Sequence, residues 1–231
     1  MSEDKGRVDG GIDRKMKKIM KSALTTLAVV GALAAIPAQA STLYTFTNDH
    51  CTGGCLPFSN LITVTQVSSG VVQVDVTGSG FGFVSTGTGT FNGINGSFFF
   101  NLLGNPTISV TNLTAGWSLI STTAGTLAGD GFGGEMEYGL HCDGTCSGGS
   151  PTLPPLSFRV NAAGLTEASF NDPGLTPAND RAIFVADVIA NGNTGLVGAT
   201  GGGSSVPEPI SLSLVGGGLL ALGLFRKRFV A

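Results

Sequence analysis

The sequence predicts an all-β fold: an antiparallel β-sandwich, jelly-roll-like in topology, that occupies residues 41–197. Three observations predict it. Short apolar or β-branched runs recur about every ten residues, glycine and small polar residues separate them, and no segment has the apolar spacing of an amphipathic helix. Glycine accounts for 37 of 231 residues and charged residues for only 12%, a composition that favours short strands joined by tight turns.

The clearest predicted strand covers residues 71–76, where valines alternate with polar residues in the two-residue period of a strand with one buried face. Turn-forming sequences such as Asn92-Gly93 and Asp172-Pro173-Gly174 separate the runs. The predicted strands are residues 43–47, 61–67, 71–76, 81–84, 96–103, 107–110, 116–121, 135–140, 156–160 and 182–189.

Charge is distributed unevenly along the chain. Ten of the twelve basic residues lie in the first 21 or the last six residues. Between residues 41 and 205 there is no lysine, and Arg159 and Arg181 stand against ten acidic residues, which gives a net charge of about −8. Because nucleic-acid binding needs clustered Lys and Arg to neutralise phosphates, we expect no nucleic-acid partner for this domain.

The N-terminal segment has the features of a secretion signal. Three lysines between residues 17 and 21 form a positive region, residues 23–36 form an apolar stretch, and Ala38 and Ala40 are the small residues of a cleavage site. These features predict export through the Sec machinery and cleavage by signal peptidase before Ser41.

The C-terminal segment has four parts in a fixed order. A flexible Gly/Ser linker is predicted at residues 198–205, followed by Val206-Pro207-Glu208-Pro209. Sixteen apolar or small residues, 210–225, come next, and the basic cluster Arg226, Lys227 and Arg228 follows them. Sixteen helical residues extend only about 24 Å, short of the roughly 30 Å hydrocarbon core of a bilayer. We therefore expect a single hydrophobic helix that holds the protein in the inner membrane temporarily, with the basic cluster on the cytoplasmic side.

This tail, residues 206–231, resembles the PEP-CTERM sorting domain of Gram-negative bacteria. The resemblance implies that an exosortase, a membrane transpeptidase-like protease, recognises Pro207, Glu208 and Pro209 and removes the tail. Such proteins occur beside exopolysaccharide and biofilm genes, so the resemblance also implies a final location at the cell surface or in the extracellular matrix, and exopolysaccharide as a candidate partner.

The expected organisation therefore has four parts: a leader at residues 1–40 with translation starting at Met16 or Met20, the exported domain at 41–197, the linker at 198–205 and the sorting tail at 206–231.

Four cysteines form two Cys-x-x-x-Cys pairs, Cys51 with Cys55 and Cys142 with Cys146, and each pair directly follows a histidine, His50 or His141. In an oxidising periplasm an even number of cysteines favours disulfides, with three connectivities open. The alternative is a zinc or copper site built from thiolates and imidazoles, because this spacing also suits metal ligands.

The sequence gives little support to the hypothesis that the domain is an enzyme. Nucleophilic catalysis usually requires a histidine or lysine beside the nucleophile, but the only histidines precede the cysteine pairs. Glu135 and Glu137 lie two residues apart on one strand and could form a glycosidase pair, although a solvated strand edge is the commoner meaning. Trp117, with Tyr44, Tyr138 and the phenylalanines, could stack on sugars, although core packing is the commoner role of such residues.

We therefore expect a non-catalytic exported protein without a cofactor. The alternatives are a carbohydrate-binding module, a metal-binding protein and a secreted hydrolase.

Overall fold

The computed structural model describes residues 41–85, 89–91, 93–125, 127–129, 132, 136–144, 146–171, 182–200 and 205–206. Several predicted features lie outside these residues: Ala38 and Ala40 of the leader, Pro207, Glu208 and Pro209 of the motif, the C-terminal helix, the cluster Arg226, Lys227 and Arg228, and Glu135.

The described residues contain strands and one short 3-10 helix, Glu167–Asn171. The strands are β1 (Ser41–Tyr44), β2 (Asn48–Asp49), β3 (Ser59–Ser68), β4 (Val71–Ser79), β5 (Phe81–Phe83), β6 (Gly89–Phe91), β7 (Ile94–Asn95), β8 (Phe98–Phe100), β9 (Ser109–Thr111), β10 (Trp117–Leu119), β11 (Leu127–Gly129), β12 (Tyr138–Cys142), β13 (Leu156–Asn161), β14 (Phe184–Ala190), β15 (Asn193–Ala199) and β16 (Ser205–Val206).

All of the described strand pairs are antiparallel, and they form three sheets. The six-stranded sheet has the order β16-β1-β3-β4-β13-β9. The seven-stranded sheet has the order β10-β12-β8-β14-β15-β2, and β5 also pairs with β14, beyond the end of β8. A small sheet of three strands has the order β11-β6-β7.

The two large sheets bury their apolar faces in one shared core. Phe158 of the six-stranded sheet packs against Phe98 and Phe100 of the seven-stranded sheet, with ring centroids 6.0 and 5.6 Å apart. All three rings are fully buried, and burying a side chain of this kind stabilises the fold by roughly 1.5–3 kcal/mol. The arrangement is therefore sandwich-like, with side chains of both sheets filling the space between them.

A second, smaller apolar cluster lies on the other face of the seven-stranded sheet. Phe99 of β8, Val185 of β14 and Leu196 of β15 belong to it, together with Phe132 and Met136. This sheet is therefore buried on both faces where these residues lie, which explains why the phenylalanine run at β8 shows no apolar and polar alternation.

The structure confirms the predicted all-β class. Each predicted strand overlaps an observed one, and no α-helix occurs in the described part of the chain. Nor do the described residues include a helix that is long and apolar enough to cross a membrane.

The main strand that the sequence analysis missed is β15, because glycines interrupt its run of apolar residues. It pairs with β14 through a two-residue turn, Asn191-Gly192, in which φ is 53° and 78°. Positive φ at both positions is typical of a type I′ turn, for which Asn-Gly is the preferred sequence. β15 also runs to Ala199, so Gly198 and Ala199, which we assigned to the linker, belong to the sheet.

Candidate functional site

The two ends of the described chain meet at one edge of the six-stranded sheet. Ser41 at the start of β1 lies opposite Val206 in β16, and Thr42 lies opposite Ser205. Because these strands are antiparallel, the chain enters the sheet at Ser41 and leaves it at Val206 at the same end of the same edge.

This edge therefore brings two predicted processing points together. Ser41 is the expected N-terminus after leader cleavage, and Val206 is the first residue of the expected sorting motif. Sequence reasoning identified both residues but gave no reason to place them side by side, because they are far apart in the chain.

A disulfide joins Cys51 to Cys55 in the loop after β2. Asp49 organises this loop: its Oδ1 accepts a hydrogen bond from the backbone N–H of Cys51 at 3.0 Å, and its Oδ2 accepts from the N–H groups of Cys55 and Leu56, each at 2.7 Å. The sequence analysis missed this role, although an Asp two residues before a glycine-rich loop is a known turn signal.

The same loop is tied to the β14–β15 hairpin. Asn191 Nδ2 donates to the carbonyl oxygen of Cys55 at 2.9 Å, and Asn193 Nδ2 donates to that of Gly54 at 2.8 Å. Gly195 approaches so closely that a Cβ there would lie 2.6 Å from the Cα of Cys51. The Asn- and Gly-rich segment to which sequence analysis gave no role thus anchors the first disulfide loop.

The second disulfide joins Cys142 to Cys146 after β12. The Thr152 Oγ1 lies 2.9 Å from the Cys146 Sγ and 3.6 Å from the Cys142 Sγ, and the hydroxyl is the donor because a disulfide sulfur carries no proton. The disulfide prediction is therefore confirmed, and the structure selects two local pairings among the three connectivities that the sequence left open.

A metal-like grouping exists at the first loop. One ligand atom each of Asp49, Cys51 and Cys55 lies within 4.8 Å of the others. The two sulfurs are bonded to each other and lack the thiolate charge that zinc binding requires, and the Asp49 carboxylate accepts three backbone hydrogen bonds. In its oxidised form this group stabilises a loop.

Each histidine has its own environment. The ring of His50 packs edge-on against Phe132, with centroids 4.5 Å apart. His141 Nδ1 lies 2.7 Å from the carbonyl oxygen of Asn95. The similar His-Cys sequences therefore occupy different local settings, one after β2 and the other at the end of β12.

Glu137, one of the two glutamates considered for catalysis, is buried and is hydrogen-bonded to the segment that follows β8. It is only 9% exposed, and its Oε2 accepts a hydrogen bond from the backbone N–H of Leu102 at 2.9 Å. The Glu137 N–H in turn donates to Asn101 Oδ1 at 2.9 Å. Burial and this reciprocal pairing give the carboxylate a structural task, unlike the solvated strand edge that the sequence favoured.

The aromatic residues considered for sugar stacking lie in the core. Trp117 is 6% exposed and meets Phe83 edge-on at a centroid distance of 5.2 Å, in agreement with the core role favoured from the sequence. Tyr44 and Tyr138 are 3% and 0% exposed. These three side chains therefore offer no stacking surface to a sugar.

Both tyrosines titrate far above their ordinary range. Burial, with a smaller contribution from the charge of Glu167, raises the pKa of Tyr44 to about 12. Burial and the charge of Glu137 likewise raise the pKa of Tyr138 to about 12. Their hydroxyls donate to the carbonyl oxygens of Phe170 and Pro106, respectively.

The outward side of the six-stranded sheet carries a polar surface. The pattern is set by β4, where Val72, Val74 and Val76 are fully buried while Gln73 and Asp75 between them are partly exposed. The cross-strand register aligns one residue from each of five strands in a single row, which we call the central row: Ser41, Thr65, Gln73, Arg159 and Thr111.

A hydrogen-bond network links the central row to Asp75 and Ser157 in the adjacent row. Arg159 Nε donates to Gln73 Oε1 at 3.0 Å, and Gln73 Nε2 donates to Ser157 Oγ at 2.8 Å. Asp75 Oδ1 accepts from Ser157 Oγ at 2.6 Å and from Gln73 Nε2 at 3.1 Å. The alternation in β4 was predicted from the sequence, but the network was not, because the network depends on the register between β4 and β13.

Comparisons with protein-family models, with curated proteins and with solved structures found no match to this chain.

Proposed function

We propose that this chain is an exported, non-catalytic protein of the cell surface or extracellular matrix, sorted and tail-processed by an exosortase-type protease. Signal peptidase and the Sec machinery act on its leader. The hydrophobic tail holds it transiently in the inner membrane, and tail removal releases it to the surface or the medium. We also propose the jelly-roll-like class for its sandwich.

The pairing of Ser41 with Val206 is the observation that carries this proposal. A domain made with a leader at one end and a membrane-held tail at the other has both chain ends at the same membrane during export. A fold whose ends leave from one end of one sheet edge suits that requirement. In this pair Val206, the first residue of the expected sorting motif, lies opposite Ser41, the expected mature N-terminus.

The cysteines support the same setting. Both disulfides close five-residue loops, and such bonds form and persist in oxidising compartments such as the periplasm. No free cysteine occurs among the residues that the structure describes. The absence of lysine between residues 41 and 205 leaves an acidic domain, which favours solubility outside the cell.

A test of sorting uses the full chain in a Gram-negative host that carries an exosortase-type protease, and in the same host without that protease. We expect release into the medium only in the first host. Glu208→Ala should abolish release and leave the protein in the membrane fraction.

Glu167→Ala is the matched control, because it removes one carboxylate within the folded domain and should be released normally. Equal release of the Glu208→Ala chain, or equal release in both hosts, would overturn the proposal.

A further inference from the structure

The central row carries only polar side chains from β1 to β9, and the position opposite Ser41 in the edge strand β16 is Val206. Its five residues lie on five neighbouring strands, and at about 4.8 Å per strand the row extends roughly 19 Å. Ser41 Oγ and Thr65 Oγ1 are hydrogen-bonded at 2.9 Å at one end, and Gln73 and Arg159 are bonded in the middle. Leu43 lies in the adjacent row, which continues through Thr63 to Asp75 and Ser157. Leu61 pairs with Thr77, outside both rows.

The network holds these side chains in place and leaves part of their hydrogen-bonding capacity unused. Arg159 uses Nε for Gln73, while its two terminal nitrogens have no partner among the described residues. Asp75 uses Oδ1 for Ser157 and Gln73, while its Oδ2 has no partner in the same part of the chain. Arg159 of β13 and Asp75 of β4 are diagonal neighbours, because Arg159 pairs directly with Gln73. The Cα atoms of such neighbours lie about 7–8 Å apart.

The unused groups define the chemistry of a ligand. A guanidinium edge offers two parallel donors and a carboxylate oxygen offers a strong acceptor, so the surface can bind neighbouring groups that both donate and accept. Hydroxyl groups do both. The surface also holds one cation beside one anion, which suits an uncharged ligand better than a polyanion, since the domain as a whole carries about −8.

We infer that the central row with Asp75 and Ser157 binds a neutral, hydroxyl-rich glycan chain through hydrogen bonds. Binding of this kind does not need an aromatic stacking surface, which the buried Trp117, Tyr44 and Tyr138 do not offer. The inference rests on the proposed function for the setting in which the domain meets polysaccharide, and it names the partner class in that setting.

Affinity electrophoresis tests the inference. The full chain, purified in a non-ionic detergent with its disulfides intact, is run through gels that contain dextran, a mixed-linkage β-glucan or galactomannan, and through gels that contain alginate or pectate. We expect retardation by at least one neutral polymer, with an affinity that changes little when NaCl is raised, because no ion pair to the ligand is involved.

Two variants locate the site. Arg159→Gln and Asp75→Asn should each weaken binding about tenfold, because each loses a hydrogen bond to a charged group. Asp143→Asn is the matched control: Asp143 is exposed after β12 and bonds Ser118 Oγ at 2.7 Å, so binding should not change. Thermal unfolding of each variant establishes that it is folded, and Gln73→Ala replaces any variant that is not.

Three results would overturn the inference: no retardation by any neutral polymer, wild-type affinity in both variants, or binding confined to alginate and pectate that added salt abolishes. Because the assay uses purified protein, it can fail while export and tail processing succeed, and the release experiment can fail while glycan binding succeeds.

Discussion

Ser41 and Val206 lie opposite each other in the outermost strand pair of the six-stranded sheet. Among the residues that the structure describes, one other residue pair, Thr42 with Ser205, joins β16 to β1. The edge is therefore a short closure, which fixes where the described chain enters and leaves the sheet.

An engineered disulfide tests this closure. Directly opposed residues of antiparallel strands have Cα atoms about 4.5–5.5 Å apart, within disulfide range. Thr42→Cys with Ser205→Cys should therefore form an intramolecular bond under oxidising conditions, visible by peptide mapping without reduction. Thr111→Cys with Ser205→Cys is the control, because β9 lies at the opposite edge of the sheet. Equal cross-linking of both pairs would contradict the strand order.

The two disulfides should each contribute modestly to stability. On the loop-entropy relation a five-residue loop contributes about 2 kcal/mol, against more than 4 kcal/mol for a long-range bond. Replacing Cys142 and Cys146 together with Ser, or Cys51 and Cys55 together, should lower the free energy of unfolding by about 2 kcal/mol in urea titrations. A loss of 4 kcal/mol or more, or a peptide map that joins Cys51 to Cys142, would refute the local pairing.

The buried tyrosines predict a loss of stability in alkali. In the unfolded chain a tyrosine ionises near its ordinary pKa of 10, whereas the folded protein raises the pKa of Tyr44 and Tyr138 to about 12. Above pH 10 the unfolded state releases protons that the folded state retains, so the free energy of unfolding falls as pH rises from about 10 to 12.

Tyr44→Phe is the control for this alkaline effect. It lacks the ionisable hydroxyl, so its stability should fall less steeply over that pH range. At pH 8 it should be less stable than wild type by about 0.5–1.5 kcal/mol, because the hydrogen bond to Phe170 is lost. Parallel slopes for wild type and variant in alkali would show that Tyr44 does not titrate as described.

Glu137 should matter for folding. Glu137→Ala removes the acceptor for the N–H of Leu102, a residue that is fully buried, and should destabilise the protein by about 1–3 kcal/mol. Asp143→Ala, at an exposed position, should change stability by no more than about 0.5 kcal/mol. Chemical denaturation measures both, and equal effects would remove the structural role given to Glu137.

The sequence predicted the β class and most strand positions because runs of apolar residues, whether alternating as in β4 or continuous as in β8, are local information. The valines of β4 and the phenylalanines of β8 mark strands by themselves. β15 was missed because its apolar residues are interrupted by glycines that are needed for close approach, as Gly195 is to Cys51.

The site residues likewise include some that local sequence features predict and others that depend on contacts formed in the fold. The even number of cysteines and the expected oxidising compartment predicted the disulfides, but the pairing was open until the loop geometry was known. The Glu137 pairing with Asn101 and the Asp75–Arg159 network depend on contacts between segments that are distant in sequence, and a single sequence carries no signal for such contacts. The hydrogen bonds of Asp49 are local, to the backbone N–H groups of Cys51, Cys55 and Leu56, so the sequence did contain a turn signal for that residue.

Intact mass and N-terminal analysis of protein released by the native secretion system tests the central claim most directly. The account predicts a chain that begins at Ser41, carries no free thiol before reduction and four thiols after it, and lacks residues 210–231. Recovery of the released protein with its Phe225–Ala231 end intact, or of a chain confined to the cytoplasm with reduced cysteines, would contradict it.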